Sequence, residues 1–223
     1  MLSILNQRGG THNSCEDSFW VEETETEVFG GVFDGCSTGI NSHWASQTMA
    51  YIFRMIRYRI LCDESIIDVI CKLKDLCELL KINPNTRLLS TCILFHYDKN
   101  TKILYTRCLG DGVLYINDIE YVIDQGNVPD YIGYQIDKSI EVNNDYLMKY
   151  PIVIYENVDR FIICSDGIQA IQENQYESSS VVWQELLLSP PKSENYLKRM
   201  WNILKNKKFT LSDDLTIVSY ATS

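Results

Sequence analysis

At 223 residues and 25.8 kDa, the chain is long enough for one domain with a sizeable core or for two small ones. Hydrophobic residues at 45%, charged residues at 22%, 11 Gly and 5 Pro exclude a disordered or low-complexity chain. Thirty acidic against twenty basic residues give a net charge of −10, which disfavours nucleic acid as a partner. No apolar stretch approaches the roughly twenty residues that cross a bilayer, so no membrane association is expected. The opening MLSILNQRGGTHN turns polar too soon for a secretory signal, and a cytoplasmic protein starting here is expected. The eight cysteines (15, 36, 62, 71, 77, 92, 108, 164) include no CxxC pair, and several sit in apolar runs. They read as reduced thiols, without structural zinc.

In chain order, FGGVF at 29–33 predicts a buried strand ending at Asp34-Gly35. A helix follows, with Ala45, Met49, Ile52, Ile56 and Ile60 on one stripe and Asn41 or Ser42 as its N-cap. A second amphipathic helix runs from about Ser65, burying Ile66, Val69, Ile70, Leu73, Leu76 and Leu80, and stops before Asn83-Pro84. STCILFHYD (90–98) and KILYTRCLG (102–110) predict an antiparallel hairpin about Lys-Asn-Thr, and GVLYIND is expected to continue the meander through a hairpin turn at LGDG. The tyrosine-rich stretch 119–160, with Pro129 and Pro151, reads as the least regular segment and a surface flap. DRFIICSDG (159–167) is a further strand, with helices near 181–188 and 193–206 and a last strand in SDDLTIVSY. This order fits an α+β layered domain better than a parallel βαβ sheet, and no repeat or linker divides 1–223.

Acidic residues recur where apolar strands begin or end, in CEDSFWV (15–21), VFDG (32–35), CSDG (164–167) and SDDLTIV (212–218). Singly, an Asp-Gly after a strand is most often a turn. Together, strands from distant parts of the chain would bring several carboxylates to one edge, where repulsion demands a cation. Oxygen ligands without His or Cys partners select a hard ion, Mg²⁺ or Mn²⁺. There is no thiolate phosphatase loop, no GxxxxGK phosphate loop, no HExxH and no GxSxG elbow. His96, alternating with Phe95 in a strand, reads as structural.

The motifs CEDSF, VFDG, STCILFHYD, LGDG, CSDGI and SDDLTIVSY, in that order over nearly the whole chain, resemble the metal-dependent protein serine/threonine phosphatases of type 2C, in their bacterial form. The resemblance implies a four-layer αββα sandwich of two antiparallel sheets flanked by helix pairs, with metals in a channel at one edge. It implies that Asp34 bridges two divalent ions, that Gly35 supplies a carbonyl, and that Asp166 and Asp213 complete the first ion's shell. Asp17, with Glu16 beside it, would serve the other ion. Asp214 would stand behind these ligands, and Asp111 would join a third, weaker site. Ala170 stands where many members carry another aspartate, which leaves that third site weak or empty.

The family's phosphate-binding arginine is replaced by His12, with Arg8 nearby as the other candidate for that role. Asp-Gly-Cys-Ser-Thr-Gly at 34–39 lacks the histidine that eukaryotic members carry. The activity implied is hydrolysis of phosphoserine or phosphothreonine in a protein substrate, in signalling, by attack of a metal-bridging hydroxide. A monomer is expected. The alternative is a catalytically silent module of the same fold that binds a phosphoprotein or regulatory partner. A scaffold reading, in which the tyrosines of 119–160 form an interface, is weaker than internal packing.

Overall fold

The computed structural model describes residues 1–37, 39, 42–126, 129–173 and 181–222. One antiparallel sheet is ordered β1 (Leu2–Gln7), β12 (Leu215–Ala221), β9 (Arg160–Cys164), β6 (Gly112–Ile116) and β7 (Ile119–Ile123). The other is ordered β2 (Ser18–Glu23), β3 (Glu27–Gly35), β4 (Ser90–Asp98), β5 (Ile103–Leu109) and β8 (Val153–Tyr155). Helices α1 (Ser42–Ile56), α2 (Asp63–Leu80), the single turn α3 (Pro84–Arg87) and α4 (Ile140–Met148) accompany the second sheet. Helices α5 (Val181–Leu187) and α6 (Tyr196–Asn206) cover the first. A small ribbon pairs β10 (Ile171–Glu173) with β11 (Phe209–Leu211).

Three buried clusters separate these four layers. Along β3 the side chains alternate, Phe29 and Phe33 joining Met49, Phe53 and Ile70 on the helix side, and Val28 and Val32 joining Phe95, Phe161 and Val218 between the sheets. Both faces of the strand are therefore apolar, as the run EVFGGVFDG shows. The third cluster sets Leu197, Trp201 and Leu204 of α6 against Leu5, Ile162 and Ile217. Each such fully buried aliphatic or aromatic side chain contributes about 1.5–3 kcal/mol. The α+β class and the αββα layering agree with the sequence reading.

The 90–110 hairpin forms as expected, with Asp98 Oδ1 accepting from the backbone N–H of Asn100 at 2.8 Å to close its turn. Helix α1 ends at Ile56, before a 3-10 turn over Arg57–Arg59 in which Arg57 takes φ 43°, and Ile60 is buried beyond it. Of the two expected N-caps, Asn41 and the side chain of Ser42 lie outside the described residues.

Two expectations are corrected. LGDG is not a hairpin turn: β5 and β6 belong to opposite sheets, and the chain crosses between them at Gly110, whose φ of +100° and close approach to Thr91 exclude a side chain. The stretch 119–160 is more regular than expected, because it contains β7, α4, β8 and a 3-10 turn over Ile132–Gln135. Its tyrosines pack on one another in pairs, Tyr121 with Tyr155, Tyr131 with Tyr134 and Tyr146 with Tyr150. None of the eight cysteines is in a disulfide. Among the described residues no helix is long and apolar enough to cross a membrane.

Candidate metal and phosphate site

Strand register delivers the carboxylates. In the second sheet Ser18 pairs with Phe33 and Asp34 with Thr91, so Asp17, Asp34 and Thr91 line up across three neighbouring strand ends. In the first sheet Ile217 pairs with Cys164, which sets Asp213, ahead of β12, beside Asp166, which opens the 3-10 turn Asp166–Ala170 after β9. Asp111 lies at the crossing into β6. The two sheet ends face each other across a cleft of about 150 Å³ whose walls include Asp34, Gly35, Asp111, Asp166 and Asp213. Asp34 stands beside Asp17 in the strand register and feels the charges of both Asp17 and Asp166.

So many carboxylates in little water raise one another's proton affinity. Burial, then the charges of Asp17 and Asp166, pushes the Asp34 carboxyl well above its usual range. Burial also pushes Asp17 up to about 7, against the hydrogen bond from Ser165 and with the charge of Asp214. Asp17 is 4% exposed. Its Oδ2 accepts from Ser165 Oγ at 2.6 Å, whereas its Oδ1 is buried without a hydrogen-bond partner. Asp213 is raised by burial and by Asp166, although the Asp214 amide and His12 oppose the shift. Asp111 is raised by burial while Oδ1 accepts from the backbone N–H of Gln125 at 2.7 Å. An orphaned buried oxygen in an all-carboxylate cluster is what a hard divalent cation would satisfy, so the residues present fit such ions.

Asp214 has a different place. It is 2% exposed, and its Oδ1 accepts from Gly9 N at 2.6 Å while its Oδ2 accepts from Glu16 N. His12 Nδ1 lies 3.0 Å from the same Oδ2, 3.7 Å from Glu16 Oε2, and His12 Nε2 lies 3.7 Å from Asp213 Oδ1. His12, Glu16 and Asp214 thus form a knot that ties the 8–16 loop to the start of β12, with both Asp214 oxygens already used by backbone donors. Burial alone lowers the His12 pKa, but Asp214, Glu16 and Asp213 together outweigh it and raise it, favouring the imidazolium. Arg8 is exposed and donates through Nη1 to the carbonyl of Asn13 at 2.9 Å. Glu16 reaches the site through both side chain and backbone, its Oε2 buried without a hydrogen-bond partner beside His12 and its carbonyl accepting from Ser46 Oγ.

Two glycines make this approach feasible. A Cβ at Gly9 would lie 2.5 Å from the carbonyl carbon of Asp213, and one at Gly167 would collide with the carbonyl oxygen of Asp214. Sequence reasoning passed over Ser165, Cys36, Ser37, Thr91, Pro129 and Tyr131. Only Ser165, Cys36 and Ser37 carried a local signal, adjacency to the Asp-Gly motifs. Tyr131 comes from the flap-like stretch, and burial, with Cys36 and Asp34 beside it, pushes its phenol up and keeps it protonated. His96 pairs with Glu27 at 3.1 Å on the second sheet and plays no part here.

No protein-family model matches the chain, and no curated protein does. Solved structures do match over its whole length. Serine/threonine phosphatase Stp1 from Staphylococcus aureus superposes with a TM-score of 0.65 at 12% identity, covering 100% of this chain and 94% of the other. The PP2C phosphatase domain of SpoIIE from Bacillus subtilis gives 0.59 at 14% identity, covering 99% of this chain and 62% of that one. The chain has the type 2C phosphatase fold. RsbX in complex with magnesium superposes with a TM-score of 0.59 at 16% identity, over 98% of this chain and 94% of the other. At these identities the type 2C likeness fixes the architecture, and any activity must be argued from the residues.

Proposed function

We propose that the chain is a metal-dependent protein serine/threonine phosphatase acting on phosphoserine or phosphothreonine. The observation that carries this reading is the convergence of Asp17 and Asp166 on Asp34, with Asp17 Oδ1 buried and unpartnered. Asp17, Asp34, Gly35, Asp166 and Asp213 would hold two Mn²⁺ or Mg²⁺ ions, and Asp111 a weaker third. When bound, such ions supply positive charge for phosphate oxygens and an acidified water.

The chain's own residues do the positioning. Ser165 Oγ, itself fixed by the N–H of Thr216 at 2.9 Å, orients Asp17. Asp214 fixes the loop that brings His12 Nε2 beside Asp213, where an imidazolium places a donor at the rim of the cleft. Thr91 and Tyr131 also line the cleft, and their hydroxyls would be the neutral donors for phosphate oxygens. Arg8 serves the rim only by releasing the Asn13 carbonyl.

The second reading, a silent module that binds a phosphoprotein, draws on the same wall. Among the described residues that line the cleft there is no lysine or arginine. A phosphothreonine peptide with added Mn²⁺ separates the two readings. Turnover is expected, and Asp34→Asn should lower it by roughly a thousandfold, the several kcal/mol that ion binding supplies, with the circular dichroism spectrum unchanged. A folded wild-type chain that binds the peptide yet releases no phosphate would establish the module.

A further inference from the structure

Residues 192–208 carry six of the chain's twenty basic residues, Lys192, Lys198, Arg199, Lys205, Lys207 and Lys208, with Glu194 as the one acid. Helix α6 buries Tyr196, Leu197, Trp201 and Leu204 against the first sheet, so its outer face presents Lys198, Arg199, Asn202 and Lys205. Lys198 and Lys205, seven positions apart, share one stripe. Elsewhere several basic side chains are matched, among them Lys99 with Glu23, Lys102 with Asp159, Arg107 with Asp63 and Arg160 with Asp118. None of the six forms an ion pair among the described residues. An acidic protein thus gathers six basic side chains without ion-pair partners in and beside one helix, where the charges repel one another until an anion covers them.

That face adjoins a groove. A cleft of about 450 Å³ starts at Lys198, runs over Ser3, Ile4 and Phe19, and ends at Asn6. Ser3 pins the helix to β1, its Oγ donating to the carbonyl of Glu194 at 2.8 Å and accepting from Leu197 N at 3.1 Å. At the far end Asn6 Nδ2 donates to the backbone carbonyl of Asp17 at 3.3 Å. Phe19, two residues after Asp17, remains 37% exposed on the groove wall. Of the groove's two acids, Glu23 is already paired with Lys99 at 2.7 Å.

We propose that the basic face of α6 is a docking surface for an acidic segment of the protein substrate, with the groove guiding the chain from that face to the carboxylate cleft. Its occupant follows from charge and shape. A long polyanion such as duplex nucleic acid would meet the acids that give the chain its net charge of −10. A bilayer would need apolar residues to insert, and on α6 only Ile203, at 40%, is a largely exposed hydrophobe. A short acidic peptide meets neither obstacle. From Ser3 to Asn6 the strand advances about 10 Å, so an extended substrate would place its acidic cluster roughly three to five residues from the phosphoresidue. That the occupant is a substrate rests on the phosphatase reading; that an acidic segment binds there does not.

The test uses the full chain and the triple variant Lys198→Glu/Arg199→Glu/Lys205→Glu, with fluorescein-labelled phosphothreonine peptides bearing either four glutamates or four glutamines at that spacing. By anisotropy, the glutamate peptide is expected to bind the wild type at least tenfold more tightly than the glutamine peptide, with the preference shrinking as salt rises. The triple variant should lose that preference. In turnover, the variant should raise KM for the glutamate peptide about tenfold at unchanged kcat and leave hydrolysis of a small aryl phosphate unaltered. Equal binding of the two peptides, an unaffected triple variant, or charge-dependent binding of phosphatidylserine vesicles or an oligonucleotide in place of the acidic peptide would overturn the docking surface. A chain that binds the glutamate peptide but hydrolyses neither substrate would keep the surface and sink the phosphatase reading.

Discussion

Gly167 follows Asp166, a proposed metal ligand, and has no side chain because the chain leaves no room for one. The carbonyl oxygen of Asp214 occupies the place a Cβ would take. Gly167→Ala must therefore push Asp166 away from Asp213, and a displacement near 1 Å in a reacting constellation costs about 100-fold in rate. We expect kcat to fall by that order while the far-ultraviolet circular dichroism holds. Gly126 provides the contrast, since nothing lies within 4 Å of its Cβ position and only its φ of +75° resists substitution. Gly126→Ala with turnover as impaired as that of Gly167→Ala would refute the steric argument. Asp214 shows how residue type alone misleads: beside Asp213 in sequence, it is committed to backbone N–H groups and shapes the His12 loop.

At the scale of elements, Arg107 of β5 joins three pieces that sequence does not connect. It is 2% exposed, and its guanidinium donates to the carbonyl of Leu61 at 2.9 Å, to that of Leu147 at 2.9 Å and to the Asp63 carboxylate. The start of α2 and the end of α4 are thereby tied to the second sheet. Asp63 is 58% exposed, so the two buried carbonyls matter more than the ion pair. Arg107→Ala takes a donor from each, leaving the Leu147 carbonyl its backbone bond from Tyr150 N at 3.1 Å, and should lower stability by about 3 kcal/mol, read from urea unfolding. Retention of wild-type stability would mean that α4 is held by its apolar contacts alone.

Across the whole molecule, two sheets press their acidic ends together, and the cost appears in the metal-free chain. Asp17 rises from 3.8 to about 7 on folding, and Asp34 also rises. Between about pH 4 and 7 the folded state then binds more protons than the unfolded one, so stability falls as pH increases through that window and levels off above it. Chelator-treated protein should melt at a lower temperature near pH 7.5 than near pH 5. Divalent cations bind the ionised carboxylates, so added Mn²⁺ should raise the melting temperature more at the higher pH. A flat pH profile in chelator, together with no response to Mn²⁺, would contradict the cluster's proposed role.

Strand periodicity, the apolar stripes of the two long helices and the Asp-containing strand ends were determined by sequence alone, because each depends on neighbours within a few residues. So was the likeness of six ordered motifs to type 2C phosphatases. What needed tertiary structure was everything set by contact between distant segments. LGDG reads locally as a hairpin turn, yet the chain there passes from one sheet to the other, since β6 finds its partners in β7 and in β9, nearly fifty residues on. Leu2–Gln7 has no pattern that marks it as a strand, and it becomes one by pairing with the far end of the chain. Which of two adjacent aspartates faces the cleft, and where unpaired lysines meet a groove, depends on packing, because a side chain's surroundings are supplied by elements its own sequence does not contain.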